Sequence, residues 1–144
     1  MASFCPDVNV WIALAYEGHS HHRAAAVWFA GLDEDVAYFC RFTQLGFLRL
    51  LTHPSVMRRE VRTQAEAWQV YDRFQTDERV SFLEEVDPGQ VESGLRRLSS
   101  SGRSSTKQWP DAYLAAFAQS AGLALVTFDR GLHKLAGSNS LLLV

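Results

Sequence analysis

The stretch Ala2-Ser3-Phe4-Cys5-Pro6-Asp7-Val8-Asn9-Val10-Trp11-Ile12-Ala13-Leu14-Ala15-Tyr16 sets the pattern of this chain. Ala2–Cys5 is short and apolar, which predicts a buried strand that ends where Asp7 begins. Val10–Tyr16 is apolar on every side, as is typical of a helix inside a protein. Gly18 is the expected end of that helix. The chain therefore opens with a buried strand, an acid and an interior helix.

Strands and helices alternate along the rest of the chain. The further predicted strands are Val36–Cys40, Val80–Leu83, Leu123–Phe128 and Leu141–Val144. The further predicted helices are His21–Ala30 after an N-cap at Ser20, Gln44–Thr52 after Thr43, Gln64–Gln75 after Thr63, Pro88–Leu98 after Asp87, and one that Pro110-Asp111 opens and Gly122 ends. This alternation predicts an α/β fold, a three-layer sandwich around a mostly parallel sheet. At 144 residues, we expect a single domain over residues 1–144.

Composition limits the class of protein. Hydrophobic residues make up 47% of the chain and charged residues 21%, as in a globular protein. The net charge is -2, so a nucleic-acid partner would have to meet a local basic patch. The longest apolar stretches, Val10–Tyr16 and Ala112–Ala118, are too short to span a bilayer. Cys5 and Cys40 are expected to be buried reduced thiols, which favours a cytoplasmic location.

Three aspartates occupy comparable places beside apolar segments. Asp7 follows the first strand, Asp129 follows the strand Leu123–Phe128, and Asp111 lies at the start of an interior helix. Each on its own is equally well explained as a helix cap or a turn residue. Together they are expected to meet at the carboxyl edge of the sheet, where clustered carboxylates repel each other and favour a divalent cation. Oxygen ligands of this kind suit Mg²⁺ or Mn²⁺.

Four sequence blocks resemble the motifs of PIN-domain ribonucleases, in the order in which that family has them. The blocks are Asp7-Val8-Asn9-Val10-Trp11-Ile12-Ala13-Leu14, Thr43-Gln44-Leu45-Gly46-Phe47-Leu48-Arg49, Pro110-Asp111-Ala112-Tyr113-Leu114-Ala115-Ala116 and Val126-Thr127-Phe128-Asp129-Arg130. The resemblance is greatest to the VapC-type toxins of bacterial toxin–antitoxin pairs. It implies a metal-dependent endoribonuclease with Asp7, Asp111 and Asp129 as ligands of Mg²⁺ or Mn²⁺, and products with a 5′-phosphate and a 3′-hydroxyl. It also implies a cognate antitoxin and a homodimer.

One position departs from the family pattern. The family usually has a Glu just after the Thr of the second block, and this chain has Gln44. An amide keeps an oxygen acceptor but loses the charge, which weakens its attraction for a cation. Gln44 is therefore an additional member of the predicted catalytic set. The alternative hypothesis is a catalytically weak PIN-like scaffold that binds RNA or a protein partner.

Other residues are candidates for contacts around this site. Between residues 41 and 62 there are five arginines and one acid, and this basic surplus predicts either RNA binding beside the acids or a solvated helix face. The RNA-binding candidates in it are Arg41, Arg49, Arg58 and Arg59. Further candidates are Arg103 and Lys107, which could reach the substrate, Trp109, which could stack on a base or lie in a core or interface, and Thr127, which is either an ordinary strand residue or a group that orients a ligand.

A response-regulator-like receiver has a similar length and the same alternation of strands and helices. It is disfavoured because no pair of adjacent acids follows the first strand. Lys107 is also too far in the sequence from a strand end to serve as a phosphate partner. Aromatic side chains in Val10–Tyr16 and Trp68–Phe74 are candidates for contacts with an antitoxin or a second copy of the chain.

Overall fold

The structure, a computed structural model, describes residues 2–144. Its five strands form one parallel sheet in the order β3-β2-β1-β4-β5. The strands are β1 (Ser3–Pro6), β2 (Val36–Phe39), β3 (Val80–Phe82), β4 (Ala124–Thr127) and β5 (Ser140–Leu142). The predicted parallel sheet is confirmed, and every predicted strand is present with ends that differ by at most two residues.

Eight α-helices and one 3₁₀ helix connect these strands within the described residues. The helices are α1 (Val8–Ala15), α2 (His22–Ala30), α3 (Arg41–Leu51), α4 (Pro54–Met57), a 3₁₀ helix (Arg58–Glu60), α5 (Gln64–Gln75), α6 (Pro88–Ser99), α7 (Gln108–Ala121) and α8 (Arg130–Ala136). No helix in residues 2–144 is long and apolar enough to cross a membrane.

Two hydrophobic clusters cover the two faces of the sheet, and they make the three layers. On one face, α1, α3 and α5 pack around Trp11 and Phe39, whose rings stack with centroids 3.8 Å apart. On the other face, α7 and α8 pack around Phe117 and Leu125. Because the strands are buried on both faces, they are apolar along most of their length. The three-layer α/β sandwich is therefore confirmed.

The strand order creates a switch point beside β1. From β1 the chain goes to β2 and β3 on one side, and later to β4 and β5 on the other. In such sheets the helices that follow two neighbouring strands leave in opposite directions and open a crevice at the carboxyl ends. The switch point here lies between β1 and β4, and in the sequence Asp7 directly follows β1 while Asp129 stands two residues after the end of β4.

Several predicted helix boundaries are wrong. Helix α1 ends at Ala15 and not at Gly18, and α2 begins after His21, which makes no side-chain capping bond, and not after Ser20. Helix α3 begins at Arg41, so Thr43 is its third residue and not its N-cap. The Thr43 hydroxyl accepts a hydrogen bond from the backbone N–H of Cys40, which is the N-cap.

Two further boundaries differ for related reasons. Helix α7 begins at Gln108, so Pro110 lies in its first turn, where a missing N–H costs nothing, and does not open it. Pro54 begins the short helix α4 after α3 has ended at Leu51. Helix α8 was not predicted; it is short, and Gly131 weakens its helical pattern.

Candidate active site

Asp7 combines a structural role with an unusual electrostatic environment. It follows β1, and its Oδ1 accepts a hydrogen bond of 3.0 Å from the Val10 N–H, so it is the N-cap of α1. Its side chain is only 6% exposed. Burial raises the pKa of Asp7 to about 6, against the opposing effect of its hydrogen bonds, the largest of which comes from Thr127. Within residues 2–144 no Lys, Arg or His forms an ion pair with Asp7.

Thr127 connects Asp7 to the second acid. Its hydroxyl is completely buried and donates a hydrogen bond of 2.5 Å to Asp7 Oδ2. Thr127 Oγ1 also accepts a hydrogen bond of 2.9 Å from the backbone N–H of Asp129. Thr127 is therefore not an ordinary strand residue, because its hydroxyl orients one acid and anchors the backbone of another.

Asp129 and Asp111 share one ammonium group. Lys107 Nζ lies 2.7 Å from Asp129 Oδ2 and 3.1 Å from Asp111 Oδ2. The hydrogen bond from Lys107 lowers the pKa of Asp129 below its usual value. The other oxygen of Asp129 caps α8 by accepting from the N–H groups of Gly131 and Leu132.

Lys107 lies in a different place from the one that its sequence position suggested. It lies at the end of a strand in space, although it is 22 residues from Asp129 in the chain. The argument that Lys107 is too distant to act at a strand end is therefore wrong. The other argument against a receiver remains, because no second acid stands next to Asp7.

Gln44 lies near the same edge, on α3. Its side chain is 5% exposed, and its Oε1 accepts a hydrogen bond of 2.6 Å from Arg41 Nη1. Arg41 is the first residue of α3, directly beyond the end of β2, and its guanidinium lies over the Phe82 ring at 4.9 Å. The amide oxygen of Gln44 is thus already engaged by a cation.

The predicted arginine patch is divided by the fold. Arg41 is at the carboxyl edge of the sheet, while Arg49 is two turns further along α3, away from that edge. Arg58 and Arg59 line a cavity with residues 15–18, at the opposite end of α1 from Asp7. The expectation that all four lie beside the acids is wrong, because α1 and α3 both run away from the carboxyl edge.

The exposure of the aromatic candidates limits which of the roles considered for them are open. Trp109 is 61% exposed, so it is not a core residue of this chain. Val10, Trp11 and Ile12 are almost completely buried, so this part of α1 offers no surface to a partner. Trp68 on α5 is 47% exposed and remains available for a contact.

The donor chemistry of the site fits a hard divalent cation. Asp7, Asp111 and Asp129 offer carboxylate oxygens, the ligand type that Mg²⁺ and Mn²⁺ prefer. Asp111 and Asp129 already share a positive charge, and Asp7 is a buried acid without a cationic partner among residues 2–144. Within residues 2–144, no three His, Cys, Asp or Glu side chains are grouped closely enough to hold a metal as they stand.

Comparison with known proteins decides the family. The model of the PIN domain matches residues 4–138. The chain belongs to the PIN-domain family. The chain is 39% identical over 135 residues to ribonuclease VapC41 of Mycobacterium tuberculosis. This match covers 91% of this chain and 92% of that relative. It is 32% identical over 138 residues to ribonuclease VapC38 of the same organism, covering 90% of this chain and 87% of the relative. Within the PIN-domain family, the chain is thus a member of the VapC toxins.

Solved structures agree with this fold. VapC20 of Mycobacterium tuberculosis, described as a toxin that cleaves the sarcin–ricin loop, has a TM-score of 0.64 at 18% identity over 93% of this chain and 95% of that one. VapBC2 of Rickettsia felis, solved with a fragment of promoter DNA, has a TM-score of 0.64 at 10% identity over 97% and 96%. In this PIN domain, Asp7 and Asp129 are therefore placed at the switch point of a fold shared with VapC proteins.

Proposed function

We propose that this PIN domain is a divalent-metal-dependent endoribonuclease and the toxin of a toxin–antitoxin pair, acting in the cytoplasm. The observation that carries the proposal is the arrangement at the switch point. Asp7 and Asp129 are joined through the Thr127 hydroxyl, and Asp129 and Asp111 through the Lys107 ammonium. The relatives named as ribonucleases support cleavage of RNA.

The three aspartates and Thr127 would have different roles in the reaction. Asp7, Asp111 and Asp129 would hold Mg²⁺ or Mn²⁺. When bound, such a cation makes a water molecule more acidic and offsets the negative charge that grows on the phosphoryl oxygens. The Thr127 hydroxyl keeps the Asp7 carboxylate in one orientation, and the α1 N–H groups hold its other oxygen.

Substrate binding is assigned to the side chains at the same edge. Arg41 is the arginine closest to the end of β2, and we assign it to an RNA phosphate. Trp109 is exposed two residues after Lys107 and is suited to stacking on an unpaired base. Arg49, Arg58 and Arg59 remain candidates for contacts with RNA that extends beyond the site.

The partner proposal follows from the structural relatives. VapBC2 of Rickettsia felis and FitAcB of Neisseria gonorrhoeae are both similar in fold to this chain, the latter with a TM-score of 0.58 at 15% identity over 96% of each chain. We propose a cognate antitoxin and a homodimer for this chain. The exposed side chain of Trp68 is a candidate contact for either.

The first test removes the metal. We expect the purified chain to cleave RNA in Mg²⁺, to stop in excess EDTA and to recover when Mn²⁺ is added, because the carboxylates alone do not activate water. Mapping of the RNA ends should give 5′-phosphates and 3′-hydroxyls. A mock preparation made without the chain is the control and should not cleave the RNA. If the chain cleaves as fast in EDTA as in Mg²⁺ and the mock preparation does not cleave, metal dependence is contradicted.

The second test concerns Gln44 and the alternative of a weak scaffold. We expect Gln44→Glu to tighten Mg²⁺ binding by about tenfold, since a further negative oxygen would face the cation. Calorimetric titration measures this directly. Gln44→Met is the matched control, because it removes the oxygen that Arg41 bonds and keeps the volume. Equal Mg²⁺ affinity in wild type and both variants would remove Gln44 from the predicted catalytic set.

A further inference from the structure

Lys107 pairs with two of the three acids of the site, and this pairing does little for the fold. Its side chain is 64% exposed, and exposed ion pairs contribute roughly 0–1 kcal/mol to stability. Both bonds are nevertheless short, at 2.7 Å to Asp129 and 3.1 Å to Asp111. The main consequence of the pairing is therefore electrostatic, because one ammonium offsets half of the formal negative charge of Asp111 and Asp129.

Lys107 also lines a cavity together with Gly131, whose backbone N–H donates to Asp129. The cavity has a volume of about 420 Å³ and lies between the loop before α7 and the start of α8. Its lining residues are Ser101, Arg103, Ser104, Ser105, Lys107, Gln108, Gly131 and Leu135. They include two cationic side chains and three hydroxyls but no carboxylate, so the cavity is suited to an anion such as a phosphate group once Lys107 is released from Asp111 and Asp129.

We propose that Lys107 is an internal cation of the site: it competes with the divalent cation for Asp111 and Asp129, and once released it pairs with an RNA phosphate in the adjoining cavity. The proposal rests on the proposed function, since it needs both a cation and RNA. It adds a role for one residue and a subsite that Arg103 and the three serines complete.

The competition follows from the positions of the charges. Lys107 Nζ contacts one oxygen of each carboxylate, and a divalent cation held by the same groups would lie within a few ångströms of the ammonium. Two positive charges at such a distance repel each other even in a medium of high dielectric constant. Release is easy for a side chain that is mostly exposed, and an RNA phosphate bound in the cavity would then be its anionic partner.

Calorimetric titration of Mn²⁺ tests the competition. We expect Lys107→Met to bind Mn²⁺ about tenfold more tightly than wild type, because the competing charge is gone and the side chain keeps its length. Lys107→Arg keeps the charge and should bind like wild type. Lys134→Met, on the exposed face of α8, is the matched control and should also bind like wild type. Unchanged or weaker binding in Lys107→Met would overturn the competition.

Steady-state cleavage at saturating Mn²⁺ tests the phosphate contact. We expect KM for a short RNA to rise about tenfold in Lys107→Met and in Arg103→Met, and to stay at the wild-type value in Lys134→Met. An unchanged KM in Lys107→Met would overturn the contact. If the wild type neither binds Mn²⁺ nor cleaves RNA, the proposed function and this proposal both fail. If it does both and Lys107→Met matches it, only the role of Lys107 fails.

Discussion

Asp7→Asn is expected to abolish RNA cleavage and at the same time to stabilise the folded chain. We expect cleavage to fall by at least about 100-fold, because the amide replaces a negatively charged ligand of the proposed cation. This is a larger change than the loss of a residue that only orients such a ligand. The measurement is the rate of cleavage of a defined RNA in Mg²⁺ by wild type and variant at equal concentration.

The stability effect follows from the raised pKa of Asp7. Its pKa is about 6 in the folded chain against 3.8 as the ordinary value, so the folded state binds its proton more tightly than the unfolded state does. Stability is therefore lost as pH rises from about 4 to about 6, and this loss is complete above the folded pKa. Asn carries no charge, so the variant avoids a penalty of up to about 3 kcal/mol at pH 7. Thermal unfolding in EDTA between pH 4 and pH 7.5 measures the difference.

Asp87→Asn is the control for Asp7→Asn. Asp87 caps α6 as Asp7 caps α1, by accepting a hydrogen bond from the N–H three residues later, but it is exposed. We expect Asp87→Asn to cleave RNA at the wild-type rate. A variant Asp7→Asn that stays folded and cleaves at the wild-type rate would remove Asp7 from the active site.

Thr127→Val is expected to have the second largest effect. Val has the same shape, so the change removes only the hydroxyl that donates to Asp7 and accepts from the Asp129 N–H. We expect cleavage to fall roughly 10- to 100-fold, as for other partners that orient metal ligands. We also expect a loss of about 1–3 kcal/mol in stability, because a buried acid loses a donor. Cleavage rates and denaturant unfolding measure the two effects.

Thr127→Ser separates the hydroxyl from the methyl group. Serine keeps the donor and acceptor, so we expect cleavage within a few-fold of wild type despite a small packing loss. The pKa of Asp7 should rise further in Thr127→Val, because the Thr127 bond favours the charged form. Stability of that variant should therefore keep falling at a higher pH than in wild type. Equal cleavage by the valine and serine variants would show that the hydroxyl does not act on Asp7.

The fold was predictable because strand and helix segments differ in ways that short-range sequence reveals. Buried strands such as Leu123–Phe128 are apolar, and capping residues such as Thr63 mark helix starts. Helix boundaries were harder, as α3 shows. Thr is a common N-cap, yet Thr43 serves the N-cap Cys40 from inside the helix. Whether Thr43 is the N-cap or the third residue of α3 depends on where β2 ends, and tertiary contacts of the sheet determine that point.

The acids were predictable from their places beside strand ends, but their connections were not. Thr127 carried a signal, since it is a hydroxyl in an otherwise apolar strand, two residues before Asp129. Lys107 carried none, because its contact with Asp129 depends on how the loop before α7 folds over β4. Arg58 and Arg59 were predicted to lie beside the acids because they are close to Gln44 in the sequence. In the structure α3 runs away from the acids, so the residues that follow it lie at the opposite end of α1 from Asp7.

Diffraction from crystals grown with Mn²⁺, recorded at a wavelength where manganese scatters anomalously, tests the central claim most directly. We predict one anomalous peak bordered by carboxylate oxygens of Asp7, Asp111 and Asp129, at the roughly 2.0–2.6 Å typical of oxygen-bound divalent cations. Lys107 should then be turned away from Asp111 and Asp129. A manganese peak elsewhere, with these three carboxylates free of metal in a chain that cleaves RNA, would contradict the claim.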